Sequence, residues 1–199
     1  GMEKVKNRII SEKKKGILGI NIGPNKNTKD QKNDFCLGLK NFFDIADYIT
    51  INISSPNTKD LRSLQLDENI NTLLKSIKKL HDNLNKVYKK HIPLVIKISP
   101  DLTTQQLESL CKTLLIYEID GVIATNTTID KKILKDGRYQ SYQGGVSGEP
   151  ITTKSNEKIK QLKELLNEKV EIIGVGGIHS PESACEKFLC GASLIQMYT

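Results

Sequence analysis

The sequence predicts an α/β protein built around a parallel sheet, and three observations predict it. Short β-branched or Leu/Ile-rich runs alternate with longer stretches of helical period. The short runs are continuously apolar rather than alternating, the pattern of strands buried on both faces. The boundaries are punctuated by capping and turn residues in regular order. Such alternating units suit either an open doubly wound sheet or a (β/α)8 barrel.

The elements follow in order. Residues 16–23 (GILGINIG) form the first predicted strand, residues 35–48 a helix, and residues 48–53 (YITINI) the second strand. From Leu66 onward Ile70, Leu73, Leu74, Ile77, Leu80, Leu84, Val87 and Tyr88 recur at three and four, which predicts a long amphipathic helix. Residues 93–99 (PLVIKIS) are the third strand. In the helix that follows, Thr103 and Gln106 stand at capping-box spacing. Residues 121–128 (GVIATNTT) form a strand, residues 153–167 a helix, and residues 171–177 (EIIGVGG) another strand. Ser180 caps the next helix, with Pro181 at its first position, and residues 192–199 (ASLIQMYT) form the last strand. The long insertion at residues 129–143 is polar and predicts a flap over the C-terminal end of the sheet. Six strands with five helices between them fall two units short of a barrel, so the chain is expected to be a piece of something longer.

Composition narrows the function classes. The chain has 199 residues, 37% of them hydrophobic and 27% charged, which suits one globular domain with a core. No apolar stretch nears the roughly 20 residues that span a bilayer, and the basic start has no secretory core. The net charge of +7 is nearly all lysine, with only Arg8, Arg62 and Arg138 as arginines. Phosphate and base readout favours Arg forks, and the lysines are scattered apart from short runs such as residues 13–15, so no nucleic-acid partner is expected. Cys36, Cys111, Cys185 and Cys190 form no CxxC pair, and His81, His91 and His179 do not cluster near them. No metal site is expected, and the thiols read as free.

Parallel βα folds collect their chemistry at the C-terminal ends of the strands. Those positions hold Asn21; Asn52, Ser55 and Asn57; Lys97; Thr125, Asn126 and Thr127; Gly176 and Gly177; Tyr198 and Thr199. The set lacks a carboxylate pair, a histidine and a metal-ligand cluster, which argues against two-carboxylate hydrolysis, triad and metal chemistry. Amides offer donor and acceptor together, so several can read a planar ring bearing carbonyls and N–H groups. Lys97 is a lone charge in an apolar strand and calls for an anion or dense acceptors facing it. A snorkelling lysine is the plain alternative. Two glycine-rich segments, residues 144–150 (GGVSGEP) and 175–182 (VGGIHSPE), each run toward a helix start, a combination that suits a phosphate. A flavin mononucleotide meets all three demands; a sugar phosphate or nucleotide meets them nearly as well.

Six motifs in this order, INISSPNT followed by LR, PLVIKISPDL, IDGVIATNTT, GGVSG, IIGVGGI and ASLIQMYT, resemble the dihydroorotate dehydrogenases, flavin enzymes of pyrimidine biosynthesis. The resemblance runs from Gly16 to Thr199. It implies a (β/α)8 TIM barrel, of which about six of the eight units lie here, with residues 1–199 forming one partial FMN-binding domain. It implies oxidation of dihydroorotate to orotate. By motif, Ser55 matches the catalytic base, which would take the C5 proton while hydride leaves C6 for flavin N5. Asn52, Asn57, Asn126 and Thr127 match substrate-binding positions. Asn21, Asn52, Lys97 and Thr125 match flavin-ring contacts; Gly148, Gly177, Tyr198 and Thr199 match positions around the ribityl chain and phosphate. A serine hydroxyl is a poor base in water and needs a relay and a desolvating loop.

The serine also sorts the subfamily. The soluble class carries Cys there, whereas the Ser class resembles enzymes that pass electrons to a quinone. Those are peripheral membrane proteins of the bacterial cytoplasmic or mitochondrial inner membrane, docked through N-terminal amphipathic helices. Relative to that pattern, those helices, the first two strands and the final helix are expected to lie outside this chain. Lys59-Asp60 stands where the family usually has Pro-Gly. Two other readings stay open: another FMN barrel such as a dihydrouridine synthase acting on tRNA, or an inactive barrel fragment. The first would use a Cys acid and an Arg/Lys groove with aromatic platforms, and this chain has no Trp.

Overall fold

The computed structural model describes residues 1–12, 16–58 and 60–198. Six strands, β1 (Gly19–Ile22), β2 (Tyr48–Asn52), β3 (Leu94–Ile98), β4 (Gly121–Ala124), β5 (Glu171–Val175) and β6 (Leu194–Gln196), pair side by side in chain order, all parallel. That order decides between the two architectures. A doubly wound sheet reverses direction at a switch point, whereas strands laid down in sequence wind one way, as a barrel does. The sheet is a partial (β/α)8 barrel, about six of its eight units.

Helices α2 (Gln31–Phe42), α3 (Asp67–Tyr88), α4 (Thr104–Ile116), α5 (Thr152–Leu166) and α6 (Pro181–Leu189) fill the five crossovers. Alternation along the strands gives the sheet two apolar faces. Ile20, Ile22, Ile49, Ile51, Leu94, Ile96, Ile98, Val122 and Ile172 belong to the large core shared with the helices. Val95, Ile123, Ile173 and Val175 form a smaller cluster, joined by half-buried Tyr48, and fill the concave side as barrel interiors do. Toward the strand tips this inner face turns polar. Asn52 is in register with Lys97, and Lys97 with Ile123, so the change happens within one layer.

The predicted caps are present. Thr103 and Gln106 make a reciprocal capping box on α4, and Ser180 does the same with Ser183 on α6, with Pro181 in the first turn. Several features differ from the sequence reading; β1 and β6 are shorter than the predicted 16–23 and 192–199. Helix α2 starts at Gln31 because the Asp30 carboxylate accepts from Asn33 N at 2.9 Å, and it ends by Phe42. An unpredicted helix, α1 (Met2–Ser11), precedes the sheet; none of its residues is fully buried, and half-buried Ile9 packs against the core. Strand β4 ends at Ala124, and the segment beyond returns to pair Thr128 with Val146 in an antiparallel bridge. That bridge closes the root of the insertion, which contains short 3-10 turns at Lys131–Ile133 and Gly137–Ser141.

Candidate active site

The strand tips surround one cavity of about 570 Å³, within the roughly 300–1,000 Å³ usual for cofactor and ligand sites. Asn21, Asn52, Ser55, Asn57, Lys97, Thr125, Asn126, Thr127, Gly148, Gly177 and Tyr198 all line it. Thr199 lies outside the described residues, as do Lys59 and residues 13–15. Ser55 and Lys97, from different strands, face the same space.

The two adjacent serines have different surroundings. Ser54 is fully buried; its N–H and hydroxyl both donate to Asn52 Oδ1, at 3.2 and 3.1 Å. Asn126 Nδ2 donates to the same oxygen at 3.3 Å and to Ser54 Oγ at 3.1 Å, while Asn126 Oδ1 accepts from Thr127 N at 2.8 Å. These amides hold one another, so their orientation is set before any ligand arrives. Ser55 Oγ, by contrast, borders the cavity and, among the described residues, accepts only the Asn57 N–H, at 3.3 Å. Its hydroxyl proton is not used by that bond.

Lys97 is 6% exposed, and its ammonium lies 3.5 Å from Tyr198 Oη and 4.8 Å from the centre of that ring. No ion pair to a carboxylate meets it among the described residues, and burial pushes its pKa below the usual lysine value. Two further polar atoms, Thr125 Oγ1 and Gln196 Oε1, are buried with no hydrogen-bond partner among the described residues, and both residues line the cavity. Buried groups left unsatisfied are costly, so a ligand completing them is the economical explanation. Glycines shape the opposite wall. Gly148 and Gly177 have φ of +74° and +78°. A Cβ on Gly177 would stand 2.0 Å from Thr152 Oγ1, which itself donates to the Gly177 carbonyl at 3.1 Å. Position 177 therefore has room only for glycine, packed against Thr152. A ring-sized polar cavity, a buried ammonium, orphaned hydrogen-bonding atoms and a glycine cradle together fit a flavin with a phosphate tail.

Three contributors escaped the sequence reading. Gln196 follows from inward alternation at the end of β6, a signal that was available. Arg62 and Asp101 lie behind the cavity; both stand inside motifs quoted above, LR and PLVIKISPDL, but neither was given a role there. Burial alone would raise the Asp101 pKa, but donors from Lys154, Thr128, Ile129 and Arg62 outweigh it and hold the carboxyl below the usual carboxylate range.

Fold and site define a barrel-type protein with a polar, cofactor-sized cavity at the C-terminal ends of its strands. A family model described as dihydroorotate dehydrogenase matches residues 1–199. The chain is 48% identical over 202 residues to the dihydroorotate dehydrogenase (quinone) of Wigglesworthia glossinidia brevipalpis, covering all of this chain and 60% of that protein. It is 46% identical over 201 residues to the protein of that name from Buchnera aphidicola, with the same coverage. Two Eimeria tenella DHODH crystal structures superpose on it. The ferulenol complex gives a TM-score of 0.87 at 30% identity, covering 99% of this chain and 57% of that one. The ligand-free form gives 0.89 at 29% identity, covering 100% and 61%. The chain belongs to the dihydroorotate dehydrogenase family, and it spans about 60% of the length of the curated relatives it matches.

Proposed function

We propose that this chain is the FMN- and substrate-binding part of a quinone-dependent dihydroorotate dehydrogenase, with residues 1–199 forming one partial barrel domain. The carrying observation is that Ser55 and Lys97 border one cavity together with the amides of Asn52, Asn57 and Asn126. Bound there, FMN would supply two-electron redox chemistry for the oxidation of dihydroorotate. Asn21, Asn52, Lys97 and Thr125 would hold its ring. Gly148, Gly177, Tyr198 and Thr199 would hold its ribityl chain and phosphate. The ammonium of Lys97, without a carboxylate partner among the described residues, would favour an electron-rich neighbour and steady negative charge in the site.

Ser55 would act as base, its Oγ taking the C5 proton while its own proton passes outward through a relay. Asn52, Asn57, Asn126 and Thr127 would grip the pyrimidine from both sides. Thr127 and Asn57 sit near the insertion, since a Cβ on Gly145 would collide with Thr127 Oγ1 and one on Gly144 would lie 3.9 Å from Asn57 Oδ1. The segment of residues 129–145 therefore stands where it can cover the substrate and exclude water. A serine base and relatives named for quinone both favour a quinone as electron acceptor. No described helix is long and apolar enough to cross a membrane. Membrane contact in this proposal is peripheral, on the bacterial cytoplasmic or mitochondrial inner membrane, through segments beyond these residues.

The test uses protein made from the full reading frame. It should purify with a flavin spectrum that dihydroorotate bleaches in the absence of oxygen. Ser55→Ala should keep the flavin and slow bleaching by about 10²–10⁴-fold. Bleaching at the unmodified rate would remove Ser55 from the role of base. Quinone should reoxidise the flavin faster than fumarate or NAD, and a preference for either of these would overturn the acceptor assignment.

A further inference from the structure

The loop that carries Ser55 is held from behind by one side chain. Arg62, in the short 3-10 turn Leu61–Gln65, donates in three directions. Its Nε meets the Ser54 carbonyl at 3.1 Å, its Nη2 the Thr127 carbonyl at 2.7 Å, and its Nη1 the Asp101 carboxylate at 2.7 Å. Ser54 immediately precedes Ser55 beyond β2. Thr127 lies beyond β4, on the wall that also carries Asn126. Asp101 lies beyond β3, the strand between them. One planar guanidinium therefore joins the tips of three neighbouring strands without itself lining the cavity.

Asp101 extends the connection to the insertion. It accepts from Ile129 N at 2.9 Å and from the Thr128 hydroxyl, the residues at the insertion's root. Lys154 Nζ, from α5, pairs with it at 2.8 Å. The carboxylate is thus held by donors on several sides and in turn sets the plane of the Arg62 fork. Such a fork has a fixed geometry that a lysine cannot copy, because an ammonium carries a single point of donation on a flexible stem.

We propose that Arg62 is a positioning residue for the reaction: by gripping the Ser54 and Thr127 carbonyls together, it fixes the distance between the base at Ser55 and the opposite substrate wall at Asn126 and Thr127, with Asp101 orienting the fork. The inference rests on the function proposed above. Its physical basis is that a misplacement of about 1 Å at a reacting centre costs on the order of 10²-fold in rate. Arg62 controls that spacing while every ligand-lining group stays in place.

The experiment is anaerobic rapid mixing of the full-length holoprotein with dihydroorotate, with FMN content and melting temperature measured on the same samples. Arg62→Lys should retain FMN and reduce its flavin roughly 10- to 100-fold more slowly, while the dihydroorotate Kd rises by a smaller factor. Millimolar guanidinium ion should restore part of the rate to Arg62→Ala and none to Ser55→Ala. Wild-type reduction by Arg62→Lys, or loss of rate in proportion to lost FMN with no guanidinium rescue, overturns the inference. Should neither Arg62 variant fold, Asp101→Asn decides. Retained FMN with a several-fold slower reduction supports the inference; an unchanged rate, or failure to fold, overturns it, because the network would then serve the fold alone. The unmodified protein separates the two levels. If its flavin is not bleached, the proposed function fails and this inference with it; if it is bleached as fast as in Arg62→Lys, only the inference fails.

Discussion

Lys97 occupies a strand whose five residues are all buried, and its position shows how a site residue works against the fold that holds it. Burial lowers its pKa from the usual 10.5. Below the lowered value both folded and unfolded chains carry the proton, and the full cost of burying the charge is present. Between that value and 10.5 the unfolded chain binds more protons, so stability rises with pH. Lys97→Met should therefore make the flavin-free protein more stable at neutral pH, by about 1–2 kcal/mol, and should flatten the alkaline rise. The same change should strip flavin from the holoprotein. Urea titrations of the apo form at several pH values, beside flavin absorbance, check both halves; a less stable apo variant would refute the account. At this scale the sequence was informative for types and not for roles. Ser54 and Ser55 are neighbours of identical chemistry, and only packing makes one a buried link to Asn52 and the other a cavity wall.

Among the elements, α5 and α6 supply the clearest disagreement with surface intuition. Lys187 looks like a solvated position in SPESACEKFL, yet it is fully buried, with its Nζ 2.6 Å from Asn156 Oδ1 on α5. Burial pushes its pKa down to about 8 from 10.5. Below about 8 the charge is borne in both states and its burial cost is complete; from there to 10.5 stability climbs as the folded lysine sheds its proton first. Lys187→Met should raise stability at pH 7 by on the order of 2 kcal/mol and abolish that climb. Thermal unfolding at pH 7, 8.5 and 9.5 measures it, and a variant that melts lower at pH 7 would show the Asn156 bond to outweigh the buried charge. Helix caps, by contrast, were legible, because Thr103 with Gln106 and Ser180 with Pro181 satisfy backbone donors locally. The start of α2 was missed because Asp30 reads as one more residue of a polar loop until its carboxylate is placed against the Asn33 N–H.

For the molecule as a whole, the six strands run in order with β1 and β6 at the ends of the sheet. Ile17, just before β1, is 85% exposed, and Leu194 and Met197 at β6 are 59% and 69% exposed. A polypeptide of these 199 residues alone therefore presents open, partly apolar sheet edges, which pair readily with other chains. Such a polypeptide is expected to elute above its monomer mass in gel filtration and to show no dihydroorotate oxidation. A monomeric, active product would show that the open edges are harmless and that six units suffice.

The sequence by itself determined the alternation of strand and helix, the double-sided burial of the strands, and the residue types at their tips, because these follow from periodicity and local hydrogen bonding. It left the winding open, since a doubly wound sheet and a barrel share the same βα alternation; the parallel order β1 to β6 decided it. Only the tertiary structure could bring Arg62 to the carbonyls of Ser54 and Thr127, or leave Thr125 Oγ1 and Gln196 Oε1 at the cavity without a partner among the described residues. Those relations join residues distant in the chain, where no local pattern records a distance.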